Sequence, residues 1–447
     1  MKPSVYLPKR NYVDPVNVGE RQVTKVSIIT QFYPPDYAAT GQLIEELAYQ
    51  LSQQQIEIQI LTGQPAYGKE KQEIAPPREN KKPIAVRRSL TSRFWPQRFR
   101  GRAINGLLFC FRSGLRLLKP SYRGEVLLLT TEPPYLLMVG YFAKLILKMP
   151  YVCLLYDLYP DVAVSLDVIS EKHWLTRFWN WLNGKIWRQA QGIIVLSSTM
   201  KDRIVAKYPE TADKITVIHS WSDPNQIAPK PKADNPFAIK HNLVEPFTVL
   251  YSGNMGRCHD METLMGTAWE LKDEPIQFVF IGGGAKYQDC YDTLINQWQL
   301  KNCLFLPFQP KKDLPNSLTA CDLSLVTISE GMEGLVAPSK LYGILASGRA
   351  VAAICEKHSY LCQLLADAGC GQTFVNGDSQ GLANYIRFLA AHPEQVETMG
   401  QAGRRYLQTH FTPEVIAKEY AKVLLGSSNS TDSSSHKNQT KPLTYPQ

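Results

Sequence analysis

Short apolar runs alternate with longer amphipathic stretches along most of the chain. Lys25–Thr30, Glu57–Thr62, Val126–Thr130, Tyr151–Tyr156 and Gly192–Leu196 read as buried strands, with Ile215–Ile218 as a further one. Thr40–Gln53 carries Leu43, Leu47 and Leu51 at helical spacing. The apolar zone Tyr135–Tyr156 is interrupted by Lys144, Lys148 and Pro150, so it reads as a core helix followed by a core strand, not a membrane span. A break follows. The segment 221–246 holds Pro224, Pro229, Pro231, Pro236 and Pro246 among Asn, Asp and Lys, the composition of a linker. The alternation then restarts with Thr248–Tyr251, Gln277–Ile281, Cys303–Leu306, Leu323–Val326, Ala350–Ile354 and Gly371–Val375. Strands alternating with helices predict parallel sheets covered on both faces, and the break predicts two such units facing each other across a cleft.

The expected organisation is an N-terminal extension (1–24), a first Rossmann-like domain (25–220), a linker (221–246) and a second Rossmann-like domain (247–412). A closing helix (413–425) and a Ser- and Asn-rich tail (426–447) complete it, the tail expected to be disordered. A chain of 447 residues, 44% hydrophobic and 20% charged, suits two globular cores. Residues 1–21 are polar, so no secretory leader is expected there. Nine Cys without a C-x-x-C pair point to free thiols in a reducing compartment.

Charge changes the picture in one place. Lys81 to Gly124 holds twelve Lys or Arg and no Asp or Glu, interleaved with Phe94, Trp95, Phe99, Leu107, Phe111 and Leu115. Basic residues mixed with aromatic and leucine side chains predict a helix lying on an anionic membrane surface. No nucleic-acid-binding motif accompanies it, so nucleic acid is not an expected partner.

Candidate chemistry concentrates in the second half. Pro338-Ser339-Lys340 reads as a helix start, with Gly348 as its stop. A lysine in a first helical turn opposes the peptide dipoles unless an anion binds there. The strand-like Phe247–Ser252 runs into Gly253-Asn254-Met255-Gly256-Arg257, and Phe278–Ile281 runs into Gly282-Gly283-Gly284. Glycine turns between strand and helix let backbone amides approach a phosphate, and Arg257 adds a permanently charged fork. Three such loops predict a nucleotide diphosphate at the carboxyl ends of a parallel sheet. In the first half, Asp157 at a strand end is placed to bind hydroxyls, although it also suits an Asx turn. His219, His259 and His358 read as loop or surface residues, and no metal-ligand spacing is present.

In order and spacing these segments resemble the GT-B glycosyltransferases of family four, especially bacterial enzymes of colanic-acid and O-antigen biosynthesis. The resemblance covers about residues 25–425 and rests on five segments. These are Phe32-Tyr33-Pro34-Pro35 leading to Thr40-Gly41, Asp157-Leu158-Tyr159-Pro160-Asp161, Tyr251 through Gly256, Phe280 through Gly284, and Pro338 through Tyr342. It implies a retaining transfer of sugar from a nucleotide-diphosphate donor on the C-terminal domain to an acceptor on the N-terminal one. It would place Gly253, Asn254, Gly256 and Arg257 at the diphosphate and Gly283 and Gly284 at the nucleoside. Ser339, Lys340 and Leu341 would cap the diphosphate, with Thr40 and Gly41 across the cleft. Arg257, Lys340 and Asp157 are the expected catalytic groups. No metal or other cofactor is expected, and a polyprenyl-diphosphate-linked or saccharide acceptor at the inner face of the cytoplasmic membrane is. The chain departs from the family at its paired glutamates. Counted back from Gly348 the second falls on Gly343, while Glu333 or Glu330 stands for the first. A sugar-nucleotide epimerase of the same architecture, or a non-catalytic nucleotide-sugar-binding partner, shares most of these features. A nicotinamide-dependent oxidoreductase would need a G-x-G-x-x-G in its first βα unit, where only Gly41 occurs.

Overall fold

The computed structural model describes residues 24–36, 38–65, 75–89 and 99–426. Residues 1–23, 90–98 and 427–447, which include most of the expected extension, part of the basic zone and nearly all of the expected tail, lie outside them. The first sheet has eight strands: β1 (Lys25–Ile29), β2 (Glu57–Thr62), β3 (Arg78–Lys81), β4 (Ile84–Arg88), β5 (Val126–Thr130), β6 (Tyr151–Leu155), β7 (Gly192–Val195) and β8 (Ile215–Val217). Their order is β3-β4-β2-β1-β5-β6-β7-β8, and only the β3–β4 pair is antiparallel. The second sheet is wholly parallel. Its strands are β9 (Phe247–Asn254), β10 (Ile276–Gly283), β11 (Cys303–Leu306), β12 (Leu323–Thr327), β13 (Ala350–Ile354) and β14 (Gly371–Phe374), in the order β11-β10-β9-β12-β13-β14.

Both sheets are doubly wound, as the alternation predicts. β5, β6, β12 and β13 are buried along their whole length because helices cover both faces. On the first sheet α1 (Ala39–Gln53) carries the chain from β1 out to β2, while α2 (Phe99–Leu117), α3 (Leu137–Leu147), α4 (Asp161–Ser165), α5 (Trp174–Gln189) and α6 (Ser198–Lys207) belong to crossovers in the other direction. Right-handed crossovers therefore put α1 on one face and α2, α3 and α5 side by side on the other. The β3–β4 hairpin, Arg-rich and short, was not among the expected strands.

The 221–246 segment is packed, not a free tether. Trp221, Phe237, Ala238 and Leu243 are buried, and α7 (Pro236–Lys240) is capped by Asn235, whose Oδ1 accepts from the Phe237 and Ala238 amides. The second sheet carries α8 (Glu262–Glu270), α9 (Tyr287–Tyr291), α10 (Leu314–Leu318), α11 (Lys340–Ser347), α12 (Tyr360–Ala368), α13 (Ser379–Ala391) and α14 (Pro393–His410). The last helix, α15 (Pro413–Leu425), returns to pack on α1 and β5 of the first sheet.

Candidate active site at the two switch points

In a doubly wound sheet, ligands gather outside the carboxyl ends of the strands where the winding reverses. That point lies between β9 and β12 in the second sheet, and between β1 and β5 in the first.

At the second-sheet switch point β9 and β10 end in register, Gly282 opposite Gly253 and Gly283 opposite Asn254. Gly253 and Gly284 have φ of +140° and +132°, backbone that side chains with a Cβ rarely adopt. A Cβ on Gly284 would stand 2.4 Å from Asn254 Oδ1 and 2.6 Å from the Met255 carbonyl, and one on Gly256 would stand 2.8 Å from Asn254 Nδ2. The Asn254 side chain thus fills the room that the two glycines leave, locking the first loop to the second. Gly283 packs beneath the Phe308 ring.

Lys340 opens α11, which follows β12. Its Cε and Nζ lie 3.3 and 3.4 Å from where a Cβ of Gly253 would be, so the ammonium sits at the mouth of the glycine loop. Although the residue is only half-buried, Nζ is shielded from solvent and has no hydrogen-bond partner among the described residues. It rests 3.7 Å from the centre of the Tyr251 ring, whose quadrupole offsets part of the cost. Burial pushes this lysine down from 10.5 to about 7. His259 stands beside it, donating from Nδ1 to the Thr327 carbonyl at 2.9 Å. That bond leaves Nε2 without the proton. Burial and the neighbouring Lys340 push His259 down to about 4, so it is neutral near pH 7. It lies in a loop, as expected, but that loop folds back onto β12 and carries the ring inward. His219 is likewise a loop residue whose ring packs on Tyr342, Tyr360 and Phe411; His358 is exposed.

Arg257 lies in the same β9–α8 turn, exposed and without a side-chain partner among the described residues. Ser339 is the N-cap residue of α11 but its hydroxyl makes no capping bond. Leu341 is wholly buried, so only its backbone could meet a ligand. Glu333 is buried at the junction of the two halves, accepting from Thr199 Oγ1 at 2.7 Å through Oε1, while Oε2 has no partner among the described residues. Glu330 is exposed. Gly343 faces Leu318 and Ile227, so a carboxylate in that register would point into apolar side chains.

The first-sheet switch point holds a carboxylate that sequence reasoning missed. Glu132 follows β5, and its backbone carbonyl accepts from Gln31 at the end of β1. Its Oε2 accepts from Thr40 Oγ1 at 2.5 Å. Burial, with Asp157 and Asp36 nearby, pushes Glu132 up to about 7 against the Thr40 bond. Asp157, half-buried after β6, is pushed up to about 6 by burial. Thr40 and Asp157 are thus brought to one carboxylate cluster. Gly41 is buried under the Phe32–Tyr33 backbone, where a Cβ would lie 3.2 Å from Phe32 C. The signal for Glu132 was available: like Asp157, it stands directly beyond a buried strand.

The two sites are tied together. The Leu158 amide donates to the Leu335 carbonyl at 3.0 Å, and Arg203 Nε donates to the Glu333 carbonyl at 3.0 Å. Among the described residues no group of three His, Cys, Asp or Glu is gathered to hold a metal ion.

Paired Rossmann-like units with a switch point in each sheet define a two-domain α/β class of protein, and comparison with known proteins gives the family. The model of the glycosyl transferase 4-like domain matches residues 39–221, and that of the glycosyl transferases group 1 matches residues 234–406. The chain belongs to the GT-B glycosyltransferases of family four. It is 25% identical over 324 residues to the probable glycosyltransferase WbjE of Pseudomonas aeruginosa, covering 72% of this chain and 80% of that one. It is 30% identical over 241 residues to the putative colanic acid biosynthesis glycosyl transferase WcaI of Escherichia coli, covering 53% of this chain and 54% of that one. Anabaena HepE, solved in complex with UDP-glucose, superposes with a TM-score of 0.65 at 17% identity, covering 90% of this chain and 99% of that one.

Proposed function

We propose that the protein is a retaining glycosyltransferase of exported-polysaccharide or O-antigen biosynthesis, moving a sugar from a nucleotide-diphosphate donor to a lipid-linked or saccharide acceptor. The observation that carries this reading is the shielded, unpartnered Lys340 Nζ at the mouth of the Gly253 loop. A buried ammonium without a counter-charge is costly, and a diphosphate supplies the missing charge. Arg257, exposed in the same turn, adds a second cation able to swing onto the phosphate oxygens. The names of WbjE and WcaI, and the UDP-glucose bound to HepE, support the substrate class.

In this mechanism the donor's phosphate leaves while an acceptor hydroxyl attacks the same face of the sugar. The leaving oxygen takes the hydroxyl's proton, and Lys340, Arg257 and the loop amides stabilise the charge growing on the diphosphate. Asp157 and Glu132 bind acceptor hydroxyls from the opposite switch point. Arg257 and Lys340 do the work that a divalent cation does in other sugar-transfer sites, so activity persists in chelator. The enzyme works at the inner face of the cytoplasmic membrane.

Thermal-shift measurements with UDP, GDP, ADP and dTDP test the donor site, since a ligand that binds the folded state raises its melting temperature. One nucleotide should raise it, and acceptor should then release nucleoside diphosphate from the donor. Lys340→Ala and Arg257→Ala should each lower turnover about 100-fold or more with melting almost unchanged. Turnover of a nucleotide sugar without any acceptor would instead mark an epimerase.

A further inference from the structure

The helices α2, α3 and α5 share a surface that the sugar-transfer site does not use. The side chains of Ile104, Leu107, Phe111 and Leu115 on α2, and of Leu118 just past its end, are exposed, spaced 3, 4, 4 and 3 residues apart. That spacing draws one apolar stripe along the outer side of a helix whose inner side, through Phe109, Cys110 and Leu117, is already buried. On α5, Trp174, Phe178 and Trp181 repeat the arrangement, with Trp174 70% exposed. Between them α3 packs on both, and it exposes Phe142, Leu145 and Ile146, the last 68% exposed. The apolar zone Tyr135–Tyr156 predicts a core helix here, and only the Leu137, Val139, Gly140 and Ala143 side of α3 is buried. Isolated apolar side chains on a surface need no explanation, but three adjacent helices carrying parallel stripes do.

Charge selects the occupant. None of the three helices contains Asp or Glu, while Arg112, Arg116, Lys144, Arg177, Lys185 and Arg188 lie on them. Lys185 continues the aromatic stripe of α5, its Nζ 5.9 Å from the Trp181 ring centre. Acidic residues at the margins are Glu171 in the loop before α5, and Glu210, which pairs with Arg188. A second copy of the chain would set cations against cations across a two-fold interface. Anionic lipid meets the cations with phosphate and the tryptophans with the headgroup boundary.

We propose that α2, α3 and α5 together form the docking face for an anionic bilayer, with the aromatic stripe of α5 inserted at the headgroup level. This rests on the peripheral-membrane part of the proposed function and names its surface. The placement suits the chemistry. Helices of a doubly wound sheet begin at the carboxyl ends of its strands, so Trp174 and Phe178 lie toward the acceptor side. Trp179 stacks on Tyr159 at 6.2 Å and Asn183 donates to the Tyr159 carbonyl at 2.7 Å, joining α5 to the loop that holds Asp157. A lipid-linked acceptor in the bilayer therefore meets that loop directly.

Flotation of the full chain with phosphatidylcholine vesicles, with and without phosphatidylglycerol, tests the face. The wild type should bind the anionic vesicles, and its tryptophan fluorescence should be quenched by lipids brominated near the headgroup. Phe178→Asp/Trp181→Asp and Phe111→Asp/Leu115→Asp should each weaken binding about tenfold or more, because each removes two apolar side chains from the interface. Both variants should keep the wild-type melting temperature and nucleotide response, since the altered side chains are exposed. Vesicle binding that both variants retain would overturn the face and leave the membrane location standing; a wild type that binds neither vesicle would overturn both. A dimer in light scattering that either variant dissociates would assign the surface to a second copy and overturn the bilayer.

Discussion

At the scale of single residues, the site is defined by groups kept away from their ordinary charge state. Lys340 is pushed down to about 7 while Glu132 is pushed up to about 7, each chiefly by burial. The two lie at different switch points and differ in what they await. Lys340 Nζ has no hydrogen-bond partner among the described residues. Glu132 already accepts from Thr40 and sits among carboxylates, so near neutrality it can donate as well as accept a hydrogen bond. Glu132 also leaves a mark on stability. A carboxyl raised in the folded state stabilises it below the unfolded value of 4.5, and that contribution is lost as pH rises through about 7. Glu132→Gln, which cannot ionise, should melt higher than the wild type at pH 8 by on the order of 1–2 kcal/mol, with the difference gone at pH 4. Denaturant titrations at the two pH values measure this, and a variant equally destabilised at both would show that the carboxylate is needed for packing.

At the scale of elements, strands were legible and side-chain surroundings were not. β2, β5, β11 and β13 begin and end where the sequence predicts strands, and β5 and β13 are the plainest because they are buried along their whole length. The β3–β4 hairpin escaped because β3 is polar and β4 has only Ile84-Ala85-Val86 before Arg87 and Arg88. Arg88 pairs with Glu79 across the hairpin at 2.8 Å and, distant in sequence, donates to the Pro34 carbonyl. The glycine turns at the ends of β9 and β10 were legible, yet their joint packing around Asn254 was not, since it depends on the register of two strands. That packing predicts a selective defect. Gly284→Ala places a Cβ against the Met255 carbonyl in a backbone conformation that alanine disfavours, at a cost of about 1–3 kcal/mol. The variant should lose its nucleotide-induced thermal shift while remaining folded; an unchanged shift would remove this loop from the donor site. The same dependence on distant contacts explains His259 and Glu333, whose surroundings come from β12 and from α6.

At the scale of the whole molecule, the chain passes between the halves twice, near 218–232 and again near 411–413, and the crossings are bonded together. The Ser222 amide donates to the Phe411 carbonyl at 3.2 Å, and Arg404 donates to the Ile227 and Pro224 carbonyls at 2.9 Å each. Helix α15 then covers α1, with Trp221 between them against Tyr420 and donating to Glu46 at 2.9 Å. The two switch points are therefore held on one framework, the glycine loops on one side and the Glu132–Asp157 cluster on the other. That framework makes an empty anion site sustainable, since the rest of the fold offsets one uncompensated ammonium.

Capture of a diphosphate by Lys340, as proposed, would carry a thermodynamic signature. A lysine near 7 in the empty protein must regain its proton when an anion binds beside it, so binding takes up protons above that pH and weakens as pH rises. Titration calorimetry of the stabilising nucleoside diphosphate at pH 8, in two buffers of different ionisation enthalpy, counts those protons directly. The wild type should take up about one proton per site and Lys340→Ala close to none. Equal uptake by both, or tight binding with no uptake by the wild type, would contradict the account.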